Sequence, residues 1–380
     1  HRLPYGLFLP TGCVNGLELH ISLFQNFNGY LLSIRYFFRV DFSYIQCYNL
    51  KVKKYLNSGG NMNANFYTSQ INRIVSEVKK AVIGKDTVII KTMLAMLCKG
   101  HILIEDIPGV GKTTLALAFS KALNLKHNRM QFTPDVLPTD VTGFSLFNKA
   151  TGKFEFKEGV AFCNLFLADE IIKTSSKTQS ALLELMEEKR ITVDGVTYKL
   201  PEPYTVIATQ NPIGSAGTHM LPDSQLDRFM IRLSMGYPSI KGEIEILKSK
   251  YCTEPLESVK PIANKDIILE LQDAVSNVYI SDAIYEYIVS LSNATRNNPL
   301  IKLGISPRGT LALTQISQGI ALAMGRDYVI PDDVIFICPD VFRHRLILSP
   351  KARLSDKTEE AIIDDILNTV AAPKIEANGR

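Results

Sequence analysis

Asp106-Ile107-Pro108-Gly109-Val110-Gly111-Lys112-Thr113-Thr114 follows a short apolar run, His101-Ile102-Leu103-Ile104-Glu105, and precedes helical periodicity from Leu115 to Leu123. Strand, glycine-containing loop and helix, in that order, are the context that a phosphate-binding loop requires. Gly109 and Gly111 let backbone N–H groups come close to phosphate oxygens, and the helix start adds partial positive charge. Lys112 supplies a full charge and Thr113 a hydroxyl for Mg²⁺, with Pro108, Val110 and Thr114 completing the expected nucleotide contacts. The strict GxxxxGK[ST] pattern is broken, because Asp106 stands where its first glycine belongs. The alternative is a strand-to-helix turn with chance glycines.

A second apolar run, Asn164-Leu165-Phe166-Leu167-Ala168, ends in Asp169-Glu170. A central parallel strand delivers such residues to the carboxyl edge of the sheet, where open α/β folds bind ligands. Asp169 there would hold Mg²⁺, and Glu170 would orient and polarise an attacking water. By itself the pair would serve equally as a helix cap. Together with the loop at 109–113 it supplies the other half of a phosphoryl-transfer site.

Farther along, Ser176-Lys177-Thr178-Gln179 has the pattern of a capping box. Residues 190–200 read as a hairpin around Asp194-Gly195, with Val193 opposite Val196. Thr205 to Pro212 is another apolar strand, ending at Asn211, a candidate ligand of the lytic water or the γ-phosphate; Asn before Pro is also an ordinary turn. Arg228, in Leu226-Asp227-Arg228-Phe229, follows a Gly- and Pro-rich loop. An arginine presented to a neighbouring subunit's nucleotide stabilises the transition state by roughly 4 to 7 kcal/mol, against at most about 1 kcal/mol for a surface salt bridge. Beyond Pro238 helical periodicity takes over. Ser306-Pro307-Arg308 opens a helix with a serine cap and Pro at the first position, and a cation there is better explained if an anion such as a terminal phosphate meets it.

Composition bounds the function class. The chain has 380 residues, 46% hydrophobic and 21% charged, enough for two or three folding units with real cores. Six of its 42 basic residues and two of its 38 acidic ones fall within 1–61, so the remainder is balanced at 36 of each. That balance speaks against a nucleic-acid partner. Six scattered cysteines without a CxxC pair fit reduced thiols, and with no apolar run of membrane-spanning length and no export signal the expected compartment is the cytoplasm. Residues 1–61 stand apart: they hold twelve of the 33 Phe and Tyr residues, and Met62 is the first methionine. They read as an accessory module or, preferably, as sequence upstream of the natural start.

The loop at 109–113, Asp169-Glu170, Asn211, Arg228 and Arg308 together resemble an AAA+ ATPase. Residues 131–143 (QFTPDVLPTDVTG), 177–184 (KTQSALLE), Thr205 to Pro212, 226–229 (LDRF) and 306–309 (SPRG) bring the resemblance to the MoxR family, over about 68–372. It implies a P-loop NTPase fold, a parallel α/β sheet flanked by helices and followed by a small all-helical lid. The domains would be 62–236 and 237–372, with a tail at 373–380. It implies ATP and Mg²⁺ as cofactors, with Thr113 and Asp169 at the metal, and ATP hydrolysis with Glu170, Asn211 and Arg228 as catalytic residues. Arg228 would act in trans and Arg308 in cis within a homo-oligomeric, usually hexameric, ring. The family resemblance further implies chaperone-like remodelling or maturation of protein complexes, often beside a partner with a von Willebrand factor A domain. A nucleotide-gated scaffold with weak hydrolysis and a chelatase-like or DNA-acting motor are the alternatives. Where the family usually has Asn-Arg and Ala-Pro-Pro after Asp169-Glu170-Ile171, this chain has Ile172-Lys173-Thr174-Ser175-Ser176, losing an arginine fork that Lys cannot replace.

Overall fold

Ile102 and Ile104 turn to one face of the first strand and Leu103 to the other, and all three are fully buried. A strand buried on both faces needs helices above and below it, which is the architecture of a parallel α/β sheet. The computed structural model describes residues 62–107, 109–211, 219–252 and 255–374. The readings of 1–61 and of Pro108 lie outside the described residues.

Helices α1 (Met62–Lys79) and α2 (Asp86–Leu97) lead to β1 (Ile102–Glu105), and the loop after it enters α3 (Lys112–Ala122). Next come β2 (His127–Gln131), a helical turn α4 (Pro138–Thr142), the hairpin of β3 (Gly143–Asn148) and β4 (Lys153–Glu158), then β5 (Leu165–Asp169). Helix α5 (Ser176–Glu188), the hairpin of β6 (Arg190–Val193) and β7 (Val196–Lys199), β8 (Thr205–Gln210), the turn α6 (Asp223–Leu226) and β9 (Ile231–Leu233) complete this part. The sheet order is β2-β5-β8-β1-β9, all parallel. β8 pairs Ala208 with Ala168 of β5 and Gln210 with Glu105 of β1, so the loop after β1 and Asp169 emerge at one edge, two strand spacings or about 10 Å apart.

The lid follows as α7 (Ile240–Cys252), α8 (Lys265–Ser276), α9 (Asp282–Arg296), β10 (Ile301–Leu303), α10 (Pro307–Ala323), α11 (Pro331–Phe342), β11 (Ile347–Leu348), α12 (Pro350–Leu354) and α13 (Glu359–Thr369). It is not all-helical: β10 and β11 form a short antiparallel ladder. The lid shares one core with the sheet face lined by Ile102, Leu167 and Ile207, through Leu271, Ile288, Ile316 and Ile366. The opposite face, with Leu103, Phe166 and Val206, packs on α5 and the second hairpin.

Two local readings shift. The cap of α5 is Ser175, whose hydroxyl accepts from the Thr178 N–H, rather than Ser176, which is already helical. The hairpin pairs Val193 with Val196 as expected, and Asp194 and Gly195 both take positive φ, the turn that suits strand twist. Ser306 caps α10 by accepting from Gly309 N–H at 3.1 Å.

The sheet's amino edge is tied to the lid by polar groups. Buried Arg345 donates to Asp227 Oδ1 at 2.7 Å and to the carbonyls of Asp227, Phe229 and Met230, while Asp227 Oδ2 accepts from Ser306 Oγ at 2.8 Å. His101, just before β1, accepts at Nδ1 from Val206 N–H (3.0 Å), so its proton sits on Nε2, which donates to Met186 O (2.9 Å). Burial pulls this imidazole down to about 4. The unfolded chain therefore takes up a proton near pH 6.5 that the folded chain refuses until about 4, so stability present above 6.5 is lost as pH falls through that window. His101 contributes about 3 kcal/mol to this loss. Urea unfolding between pH 7 and 4.5 should show it, and a flatter profile is expected for His101→Gln.

Candidate functional site

The loop after β1 keeps the shape its glycines allow. Gly109 and Gly111 take φ of +84° and +95°; a Cβ on Gly109 would meet nothing within 4 Å, and one on Gly111 only Met235 Cε at 3.8 Å. Both glycines thus hold a backbone conformation that residues with side chains rarely adopt. Lys112 is 8% exposed and donates to the Asp106 carbonyl at 3.0 Å. Burial pulls its ammonium down, against the opposing attraction of Asp169, Asp106 and Glu170. The lysine is thereby within electrostatic reach of both strand-end carboxylates. Thr113 and Thr114 lie in the first turn of α3.

Asp106 shows why the loop departs from the glycine pattern. Its Oδ2 accepts from Ser234 Oγ (3.0 Å) and from the N–H groups of Met235 (2.5 Å) and Gly236 (2.6 Å), and Oδ1 from Ile107 N–H (2.8 Å). Burial pushes this carboxyl up, but the donors outweigh it and hold it below the usual carboxylate range. From the other side, Lys85 Nζ donates to the carbonyls of Met235, Gly236 and Tyr237. The segment joining β9 to the lid is therefore fastened to the phosphate loop.

Asp169 and Glu170 are held by a common partner. Thr209 Oγ1 donates to Asp169 Oδ1 at 2.6 Å and accepts from Glu170 N–H at 2.9 Å. That second bond fixes Glu170 in the left-handed region, φ 57° and ψ 47°, at a cost of about 1–2 kcal/mol for a residue with a side chain. From β2, Arg129 donates to Asp169 Oδ2 and Gln131 Nε2 to Glu170 Oε2, both at 2.8 Å. Lys173, across the turn, pairs with the same Glu170 oxygen. Asn211 follows β8 at this same edge. Arg129 escaped the sequence reading, Thr209 and Gln131 entered it only within family motifs, and Lys173 only as part of the departure at 172–176. For Gln131 the signal was the motif beginning at that residue.

The two candidate arginines are elsewhere. Arg228 donates to the Leu183 carbonyl at 2.8 Å and pairs with Glu187 Oε2 at 3.1 Å, and Arg308 pairs with Glu187 Oε1. Glu187 neighbours Met186, and Met230 N–H donates to His101 O at 2.8 Å, which puts this cluster at the amino edge of the strands. A strand of four residues, about 13 Å, separates that edge from the phosphate loop. The placement of Arg308 corrects the expectation that it meets phosphate in its own chain: Ser306 and Arg345 anchor the start of α10 to Asp227, and so bring Arg308 beside Arg228.

The donor set fits nucleotide and metal. A glycine-containing loop, the buried Lys112 ammonium, the Thr113 hydroxyl and the Asp169 carboxylate are oxygen ligands and cations of the kind that hold Mg²⁺ together with phosphate. Among the described residues no group of three or more acidic, His or Cys side chains is placed to hold a metal ion.

Comparison with known proteins agrees. Residues 101–231 match the ATPase family associated with various cellular activities (AAA), and residues 293–366 match the AAA lid domain. The chain is 37% identical to Chaperone MoxR1 of Mycobacterium tuberculosis, over 81% of this chain and 83% of the relative. The chain belongs to the MoxR family of AAA+ ATPases. It is also 45% identical to the protein YeaC of Bacillus subtilis over 80% of this chain and 95% of that one. A crystal structure of a proposed ATPase from Cytophaga hutchinsonii superposes with a TM-score of 0.77 at 35% identity, covering 82% of this chain and 97% of that chain. Both the sheet and the lid of this MoxR-family chain are thus shared with relatives, and no helix among its described residues is long and apolar enough to cross a membrane.

Thr209→Val removes a donor and an acceptor at once. It should lower stability by about 1–3 kcal/mol in chemical denaturation and weaken nucleotide binding, with Thr209→Ser restoring most of both.

Proposed function

We propose that the chain is an ATP-hydrolysing subunit of a homo-oligomeric ring that remodels or matures protein complexes. The carrying observation is the division of labour between edges: Lys112, Thr113, Asp169, Glu170 and Asn211 at the carboxyl edge, Arg228 and Arg308 joined on Glu187 at the amino edge. A site split in this way is completed by a head-to-tail neighbour, and repeated head-to-tail contacts close into a ring, for which six subunits is the family-derived expectation. In this reading both arginines serve the neighbour's nucleotide.

Within one site, Gly109, Val110, Gly111 and Thr114 cradle phosphate through the backbone and helix start, and Lys112 leaves the Asp106 carbonyl for phosphate oxygens. Thr113 and Asp169 would hold Mg²⁺, which when bound would offset negative charge on the triphosphate. Glu170 and Asn211 orient the attacking water, Glu170 as proton acceptor. Arg228 and Arg308 from the neighbour meet the charge that develops on the transferred group.

Protein clients, with a von Willebrand factor A domain partner as the family-derived class, are favoured over nucleic acid by the first hairpin. Phe144, Leu146, Phe147 and Phe154 are 45–72% exposed there, an apolar surface suited to polypeptide. The charge balance beyond residue 61 points the same way.

Glu170→Gln should retain ATP and hydrolyse it at least about a hundredfold more slowly; unchanged turnover would remove Glu170 from the mechanism. Lys112→Ala and Arg228→Ala should each be inactive alone, yet an equimolar mixture should recover about a quarter of wild-type phosphate release, because a quarter of random contacts pair an intact loop with an intact arginine. A mixture as silent as its components would rule out action in trans.

A further inference from the structure

Arg129 has no part in the reaction as described, yet it holds the carboxylate on which the metal depends. It stands on β2, the outermost strand, where the register sets it beside Leu167 and Gln131 beside Asp169. Its guanidinium donates to Asp169 Oδ2 at 2.8 Å and to Gln131 Oε1 at 3.3 Å. With Oδ1 taken by the Thr209 hydroxyl at 2.6 Å, both oxygens of Asp169 carry donors from this chain. The two donors differ in freedom. Thr209 is wholly buried in a central strand, whereas the Arg129 side chain is 47% exposed on an edge strand, against 11% for Asp169.

A guanidinium cannot shed its charge, so it neutralises Asp169 for as long as it remains and vacates Oδ2 only by moving away. Its exposed, unbranched stem lets the guanidinium swing out into water, where its charge is solvated as the metal takes its place. Lys112 does not share this task, because its ammonium is turned to the Asp106 carbonyl.

We propose that Arg129 is a positioning residue that occupies the metal's place on Asp169, competing with the divalent cation for Oδ2 and withdrawing when the metal-bound nucleotide seats. The inference rests on the reading of Asp169 as the residue that holds the metal. Its consequence is a carboxylate that is never unpaired: one cation is exchanged for another, and the metal binds more weakly than Asp169 alone would allow.

The test is Mn²⁺ binding to the full chain in the presence of ADP, followed by the Mn²⁺ paramagnetic resonance signal, together with the affinity for a fluorescent ADP analogue in EDTA. Arg129→Met, which keeps the stem and removes the charge, should bind Mn²⁺ about five- to tenfold more tightly and hold the analogue in EDTA within about twofold of wild type. Arg129→Lys should stay near wild type in both. Unchanged Mn²⁺ affinity in Arg129→Met would overturn the proposal. So would a tenfold loss of analogue binding in EDTA, which would make Arg129 a phosphate ligand instead. Asp169→Asn separates the two levels: if it leaves Mn²⁺ affinity unaltered, the metal is not held by Asp169, and the underlying reading fails rather than the role of Arg129 alone.

Discussion

Two carboxylates on consecutive residues, at the buried end of a strand and facing a site for a polyanion, repel one another and their ligand. Much of the local structure offsets that repulsion. Each acid has one neutral donor and one cation: Thr209 and Arg129 for Asp169, Gln131 and Lys173 for Glu170. The neutral donors are set by parallel pairing, which places β2 and β8 on either side of β5. The cations are longer and more exposed than the acids they serve, so charge is balanced without fixing the site in one state.

The same sheet separates chemistry from its helper. Arg345, buried among backbone carbonyls and paired with Asp227, fixes the junction from which Arg228 and Arg308 emerge. Burial pulls its guanidinium down while Asp227 opposes that pull. Removing Asp227 would leave the buried Arg345 charge without its counter-ion, at a cost of several kcal/mol, so the backbone junction that carries the two arginines is firmly held. Glu187 keeps them together in the single chain.

How much of this was legible in the sequence depends on what each residue's position answers to. β1, β5 and β8 could be read because strands buried on both faces must be apolar throughout. β2 could not: His127-Asn128-Arg129-Met130-Gln131 is an edge strand with largely polar side chains, and nothing in its pattern marks it as extended. The phosphate loop and the two acids were legible because their chemistry demands particular residue types in order. Thr209 was not, since a β-branched residue in a strand needs no further reason to be there. The position of Arg308 was out of reach for another reason: its helix start was evident from Ser306 and Pro307, but where that start docks is decided by Asp227 and Arg345, far apart in sequence.

Asp106 and Lys85 grip opposite sides of the same short peptide, one by its N–H groups and the other by its carbonyls. Immediately beyond that grip rises α7, thirteen residues or about 20 Å of rod. A rod clamped at its foot acts as a lever. The loop that would receive phosphate and the foot of this rod therefore share one set of hydrogen bonds, centred on the Asp106 carboxylate. In a chain with glycine at this position the foot would lose that carboxylate handhold, so the break in the motif is what gives the lever its fulcrum.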